Sequence, residues 1–217
     1  MPGRHRYLSH RDLLTLAYAS GKRAPLVLTL GYCGLRWGEA IALRVKNLDV
    51  ANQRLYVEEN VVEVAGTMHH GTPKSHKVRA VPVPSFLMDM LVRETASRTG
   101  EDLVFPGRDG GYMHRTRASA GSKSWFKTAL REAHLEPMTL HELRHTAASL
   151  AVQSGANVKA IQRILGHSSA AMTLDVYSDL FENDLDTLSK RLNDAALNSF
   201  VPSAFGAEVP VARPGIE

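Results

Sequence analysis

The sequence predicts a mainly helical α+β domain with a small three-stranded antiparallel sheet. Capped segments with apolar residues three and four apart lie on both sides of one stretch, residues 54–84, where β-branched and polar residues alternate. Gly34 and Gly166 each close an apolar helical run, where a left-handed cap is expected. Apolar residues make up 44% of the 217, enough for an ordinary core.

Ser9 with Asp12 three residues on is a capping box ahead of Leu13, Leu14, Leu16 and Ala17, so the first helix is amphipathic. Pro25 suits the first turn of a second, mostly buried helix that stops at Gly34. Residues 54–64 alternate as a strand, Ala65-Gly66-Thr67 turns, and a short Met68-His69-His70 segment follows. Residues 78–84 form a second extended run whose Pro82 and Pro84 suit a sheet edge. Ser85 reads as the cap of a helix through Leu91 and Val92, and residues 107–111 as a loop. Trp125, Phe126, Ala129 and Leu130 give a helix over 119–134 its core face. Further helices are expected over 140–153 and 158–165, then a short one carrying Tyr177 and an amphipathic one over 183–197. Residues 198–217 hold three prolines and little periodicity, and are expected to be a disordered or docking tail behind a 1–197 domain.

Lysine and arginine number 26 against 22 acidic residues, a net charge of +4. With a pI near 9.3, this suggests one basic face for a polyanionic partner. The single cysteine, Cys33, excludes an internal disulfide and reads as a small buried residue in a reducing compartment. No apolar stretch approaches the ~18 residues of a membrane span, so a soluble, cytoplasmic-type protein is expected.

The segment Leu140-His141-Glu142-Leu143-Arg144-His145 admits two chemistries. On a helix His141, Arg144 and His145 share a face. As H-E-x-x-H, the two histidines would hold zinc, Glu142 would activate a water, and His167 or Glu182 would complete the ligands. As H-x-x-R, a guanidinium forks onto phosphate oxygens beside a proton-handling imidazole. An arginine next to a divalent cation is repelled unless a carboxylate intervenes, which disfavours the zinc reading. Other candidates have plain explanations one at a time: Arg36 as a surface ion pair, Lys74 as a solvated turn amine, His167 as a helix-end cap, Tyr177 as a half-buried core residue. Taken together, Arg36, Lys74, His141, Arg144, His167 and Tyr177 supply the cations that a pentavalent phosphorane needs and a hydroxyl nucleophile.

Five strings occur in order: GYCGLRWGEAIALR around Arg36, GTPKSHKVRAVPVP around Lys74, TLHELRHTAASL around His141 and Arg144, VKAIQRILGHSS around His167, and MTLDVYSDLF around Tyr177. Together they resemble the catalytic domain of tyrosine recombinases, the phage integrase family, and look closest to actinobacterial and actinophage members. The resemblance runs from about Tyr7 to about Leu192. It implies that Arg36 and Arg144 clamp a scissile phosphate, Lys74 protonates the leaving 5′ oxygen, and His141 assists proton transfer from the nucleophile. His167 would hydrogen-bond a phosphate oxygen, Tyr177 would form a 3′-phosphotyrosine, and Glu39 and His145 would support the site.

The resemblance also implies site-specific cutting and rejoining of double-stranded DNA with no metal, cofactor or ATP, by chemistry similar to type IB topoisomerases. Self-association into a tetrameric synapse, accessory DNA-bending proteins and residence on the nucleoid follow as expectations. One departure is Asp179, where many relatives have histidine. Another is that the chain starts directly before the catalytic domain, as an excised domain or a naturally short protein would. That leaves a second reading, a DNA-binding accessory module without cleavage.

Overall fold

Helix α1 (His10–Ala19) starts at the expected capping box, with Ser9 Oγ accepting from the Asp12 amide at 3.1 Å and the Asp12 carboxylate accepting from the Ser9 amide. The computed structural model describes residues 7–71, 78–115, 124–181 and 184–198. Helix α2 (Ala24–Cys33) carries Pro25 in its first turn and ends at Gly34 with φ +64°. It is apolar on every side, as a central helix must be, and packs against α1.

Helix α3 (Trp37–Ala42) follows after three residues and lies on strand β3 (Asn60–Val64). Gly38 makes that approach possible, because a β-carbon there would collide with the Val61 carbonyl oxygen and the Asn60 side chain. Gly38→Ala is therefore expected to lower stability by about 1–3 kcal/mol through overpacking. Urea unfolding checks this; an unchanged midpoint would show that the hairpin shifts freely.

Three short strands, β1 (Leu48–Asp49), β2 (Arg54–Val57) and β5 (Arg79–Pro82), form an antiparallel sheet in the order β1-β2-β5. Leu55 pairs with Val81 in register, and both are fully buried. The three-stranded sheet is the expected one, but its members differ. The 54–64 run breaks at Glu58 and Glu59, and β3 instead pairs with β4 (Thr67–Gly71) as a separate hairpin. Two adjacent carboxylates cause the break by turning to different partners. Glu58 accepts from Asn47 Nδ2 at 2.9 Å, while Glu59 meets Arg44 and His70. The third strand of the sheet is β1, whose two residues are too few to show alternation.

Helix α4 (Ser85–Thr95) has Pro84 as its cap, so Ser85 is the first helical residue and not the capping one. The Pro84 carbonyl accepts from the Leu87 and Met88 amides, a role open to any extended residue at that position. Helix α5 (Trp125–Glu132) carries Phe126, Ala129 and Leu130 into the core. The upstream part of the expected 119–134 helix lies outside the described residues.

Helix α6 (Glu142–Gln153) is buried along most of its length and packs on α2. Helix α7 (Val158–Leu165) is capped by Asn157, whose Oδ1 accepts from the Ala160 amide, and ends at Gly166 with φ +64°. Helix α8 (Ala170–Phe181) departs from helical geometry at Tyr177, with φ −128° and ψ 16°. The chain divides into two compact units, Met1–Ser178 and Asp179–Glu217. In the second, helix α9 (Asp184–Asn198) exposes Leu192 and Leu197. Residues 199–217, nearly all of the expected tail, lie outside the described residues. No helix among the described residues is long and apolar enough to cross a membrane.

Candidate active site

Arg144 is the hub. It sits one turn into α6 on a face that the helix buries, and only 3% of it is exposed. Its Nη1 donates to the Gly34 carbonyl and its Nη2 to the Leu165 carbonyl. Those carbonyls lie where α2 and α7 end, just ahead of Arg36 and His167, so one side chain gathers three of the sequence motifs. A guanidinium has five N–H groups, and these two bonds leave others for an anion. Burial, then the charge of Arg36, pushes the Arg144 pKa down to about 10, which keeps it cationic at neutral pH.

Glu39 links a second layer. Its carboxylate accepts from the Arg36 amide at 2.8 Å and from Arg36 Nη1 at 2.9 Å. It also takes both ends of the Arg79 guanidinium, at 2.9 and 2.6 Å. Arg79 Nε donates to the Ile164 carbonyl at 3.0 Å, which ties β5 to the end of α7. Burial alone would push the Glu39 carboxyl up, but the hydrogen bonds and charges of Arg79 and Arg36 hold it below the ordinary range. Arg36 is thus aimed by a buried anion, while a third of its side chain stays exposed.

Arg79→Met should leave Glu39 with half of its partners and cost about 3–5 kcal/mol, as expected for a broken buried ion pair. Thermal unfolding beside Arg79→Lys checks this. A loss under about 1 kcal/mol would mean that the pair contributes as little as a surface bridge.

Tyr177 is 1% exposed. Its hydroxyl lies 2.9 Å from His145 Nδ1, and its ring stacks on His167 with centroids 6.4 Å apart and planes at 8°. His167 Nδ1 meets Thr173 Oγ1 at 3.0 Å. Burial pushes the Tyr177 hydroxyl up to about 12, although the charge of Arg144 acts the other way. His141 is exposed, with its ring edge-on to His145 at 5.2 Å. With Arg36 and Arg115 it lines a groove of about 500 Å³ between α3 and the β3–β4 hairpin.

His167 is pushed down to about 4, first by burial and then by the charges of Arg144 and Arg36. Below the ordinary imidazole value of about 6.5 the unfolded chain therefore binds a proton that the folded chain refuses, so acid removes stability across that window. Glu39 is held low, so its contribution is present above the ordinary carboxyl value of about 4.3 and is lost as pH falls further. Both act in one direction. Stability in urea should fall steadily from about pH 6.5 to pH 4; a flat or rising series would contradict this assignment.

The structure brings Arg36, Glu39, His141, Arg144, His145, His167 and Tyr177 into one neighbourhood. Lys74 lies outside the described residues, as does Glu182 of the zinc reading. Glu142, the water activator in that reading, instead accepts from the Thr139 amide and hydroxyl as a helix-start cap. His145 Nδ1 is occupied by the phenol. Among the described residues no group of three or more histidine, cysteine or acidic side chains is placed to hold a metal.

Two features were missed in the sequence reading. Arg79 lay within a quoted motif without a role, and its cue was a lone charge in an otherwise apolar strand. Thr173, fully buried beside His167, gave no signal at all.

This frame and pocket define a helical α+β domain that gathers two arginines, three histidines and a buried tyrosine. The chain belongs to the phage integrase family, whose model matches residues 6–184. The ICEBs1 integrase of Bacillus subtilis is 27% identical over 168 residues, 74% of this chain and 46% of that protein. Tyrosine recombinase XerC of Xylella fastidiosa is 32% identical over 191 residues, 87% of this chain and 53% of that one. The chain thus spans about half the length of these relatives. The Tn1549 transposon integrase in complex with a circular intermediate DNA superposes with a TM-score of 0.70 at 22% identity, over 88% of this chain and 66% of that one. The catalytic domain of bacteriophage HP1 integrase gives 0.56 at 21% identity, over 90% and 98%. At such identities the likeness to these two structures is one of fold.

Proposed function

We propose that this chain is the catalytic part of a site-specific DNA recombinase that cuts and rejoins strands through a 3′-phosphotyrosine on Tyr177. The observation that carries it is the position of Arg144, which holds the Arg36 and His167 loops around a pocket containing a phenol. Phosphoryl transfer needs positioning and charge neutralisation more than covalent help, and two guanidiniums supply both. Arg36 and Arg144 clamp the scissile phosphate from either side, with Glu39 aiming Arg36. His141 and His167 provide hydrogen bonds around it, and Lys74 protonates the 5′ oxygen as it leaves. The tyrosyl linkage is itself a phosphodiester, so a 5′ hydroxyl reverses it without ATP. With 1% of its surface exposed, the phenol reaches DNA only when binding opens the pocket.

Double-stranded DNA is the partner, with self-association into a tetrameric synapse and accessory bending proteins as further partners. The protein acts in the cytoplasm, on the nucleoid when bound. A pool of nicked suicide duplexes with randomised sequence tests the proposal, because each traps a covalent intermediate when its short 5′ fragment diffuses away. A protein–DNA species that survives denaturant, with the modified peptide mapped to Tyr177, is the expected result. Tight DNA binding with no covalent species would favour the accessory-module reading instead.

A further inference from the structure

We infer that His145, and not the more exposed His141, takes the proton from the Tyr177 hydroxyl during cleavage. This rests on the reading of Tyr177 as the nucleophile. His145 Nδ1 lies 2.9 Å from the phenol oxygen, inside the range for direct proton transfer. It touches a reacting atom, which makes it a catalytic residue.

The alternatives are worse placed. His167 lies parallel to the phenol ring with centroids 6.4 Å apart, and its Nδ1 already meets Thr173 Oγ1 at 3.0 Å. His141 approaches the pocket through His145, edge-on at 5.2 Å and 85°, while its other side opens onto the groove with Arg36 and Arg115. That position suits the phosphate more than the nucleophile. His145 follows Arg144 directly on α6. The two carbonyl bonds of Arg144 therefore anchor the turn of α6 that carries His145.

For the hydroxyl to donate, Nδ1 must be the bare nitrogen and Nε2 must carry the hydrogen. As the tyrosyl Oη–P bond forms and the P–O5′ bond breaks, the phenol O–H breaks and its proton passes to Nδ1. The imidazole becomes imidazolium, and the leaving 5′ oxygen takes a proton from a separate acid, assigned above to Lys74. On religation the 5′ hydroxyl attacks phosphorus and returns its proton to the amine that supplied it, the P–Oη bond breaks, and the imidazolium gives its proton to the departing phenolate. Atoms and charge balance with no added reactant.

Nitrogen NMR of the unsubstituted protein is the first test: the Nε2–H tautomer of His145 is expected at neutral pH, and the Nδ1–H tautomer would overturn the inference. The second is single-turnover adduct formation on the randomised nicked duplexes. His145→Ala should slow it by about 10²-fold or more while DNA affinity is unchanged. His145→Gln, which can still bond the phenol but cannot hold its proton, should be equally slow, and added imidazole should partly restore only the alanine variant. A glutamine variant near the unsubstituted rate would leave His145 with orientation alone. An alanine variant that is equally fast or faster would make the bond a latch. If Tyr177→Phe still forms the adduct, the nucleophile is wrong; if it does not while the His145 variants cleave normally, only this inference fails.

Discussion

Tyr177→Phe is expected to abolish the denaturant-resistant protein–DNA species, a loss of roughly 10⁴-fold or more, because no other step replaces a missing nucleophile. The substitution removes one oxygen from a fully buried ring and keeps the stack on His167. Its structural cost is the bond to His145, about 1 kcal/mol. DNA binding should therefore persist at nearly the original affinity. That combination matters, since a variant that lost binding and cleavage together would have unfolded the pocket. Adduct formation by the phenylalanine protein would move the nucleophile elsewhere.

Arg144→Ala is expected to have the second largest effect, and on two readouts at once. Cleavage should fall by about 10²–10³-fold or more, as when a charge-stabilising donor is deleted from a water-poor site. Stability should fall as well. The Gly34 and Leu165 carbonyls would each lose a buried donor, at about 1–3 kcal/mol apiece. Arg144→Lys should recover little of either, because one ammonium cannot fork to both carbonyls. Arg36→Ala provides the contrast. A third of the Arg36 side chain is exposed, and Glu39 would keep Arg79, so cleavage should suffer much more than stability. Equal loss of stability in the two alanine variants would mean that Arg36 is structural in the same sense as Arg144.

Much of the frame was legible before any coordinates. The capping box at Ser9, the glycine ends at Gly34 and Gly166, and the apolar faces of α1 and α5 are local features, set within one or two turns of chain. The site motifs were legible for a similar reason, since H-x-x-R needs only helical spacing to place its side chains together. The sheet was read less well. Its third strand has two residues, and the 54–64 run was divided by two carboxylates whose partners include Asn47, eleven positions away from Glu58. Glycine at position 38 gave no cue that a strand carbonyl would lie against it.

The sequence by itself determined where most of the helices form and which side chains are the candidates for the site, because helix periodicity, caps and motif spacing are short-range properties. Only the tertiary structure decided which histidine meets the phenol, that Arg79 shares Glu39 with Arg36, and that Arg144 faces inward to carbonyls at the ends of α2 and α7. Those contacts join residues 21 to 110 positions apart. Such pairings arise when α2, α6 and α7 bury their faces against one another, and no local pattern encodes the depth or the turn at which they meet.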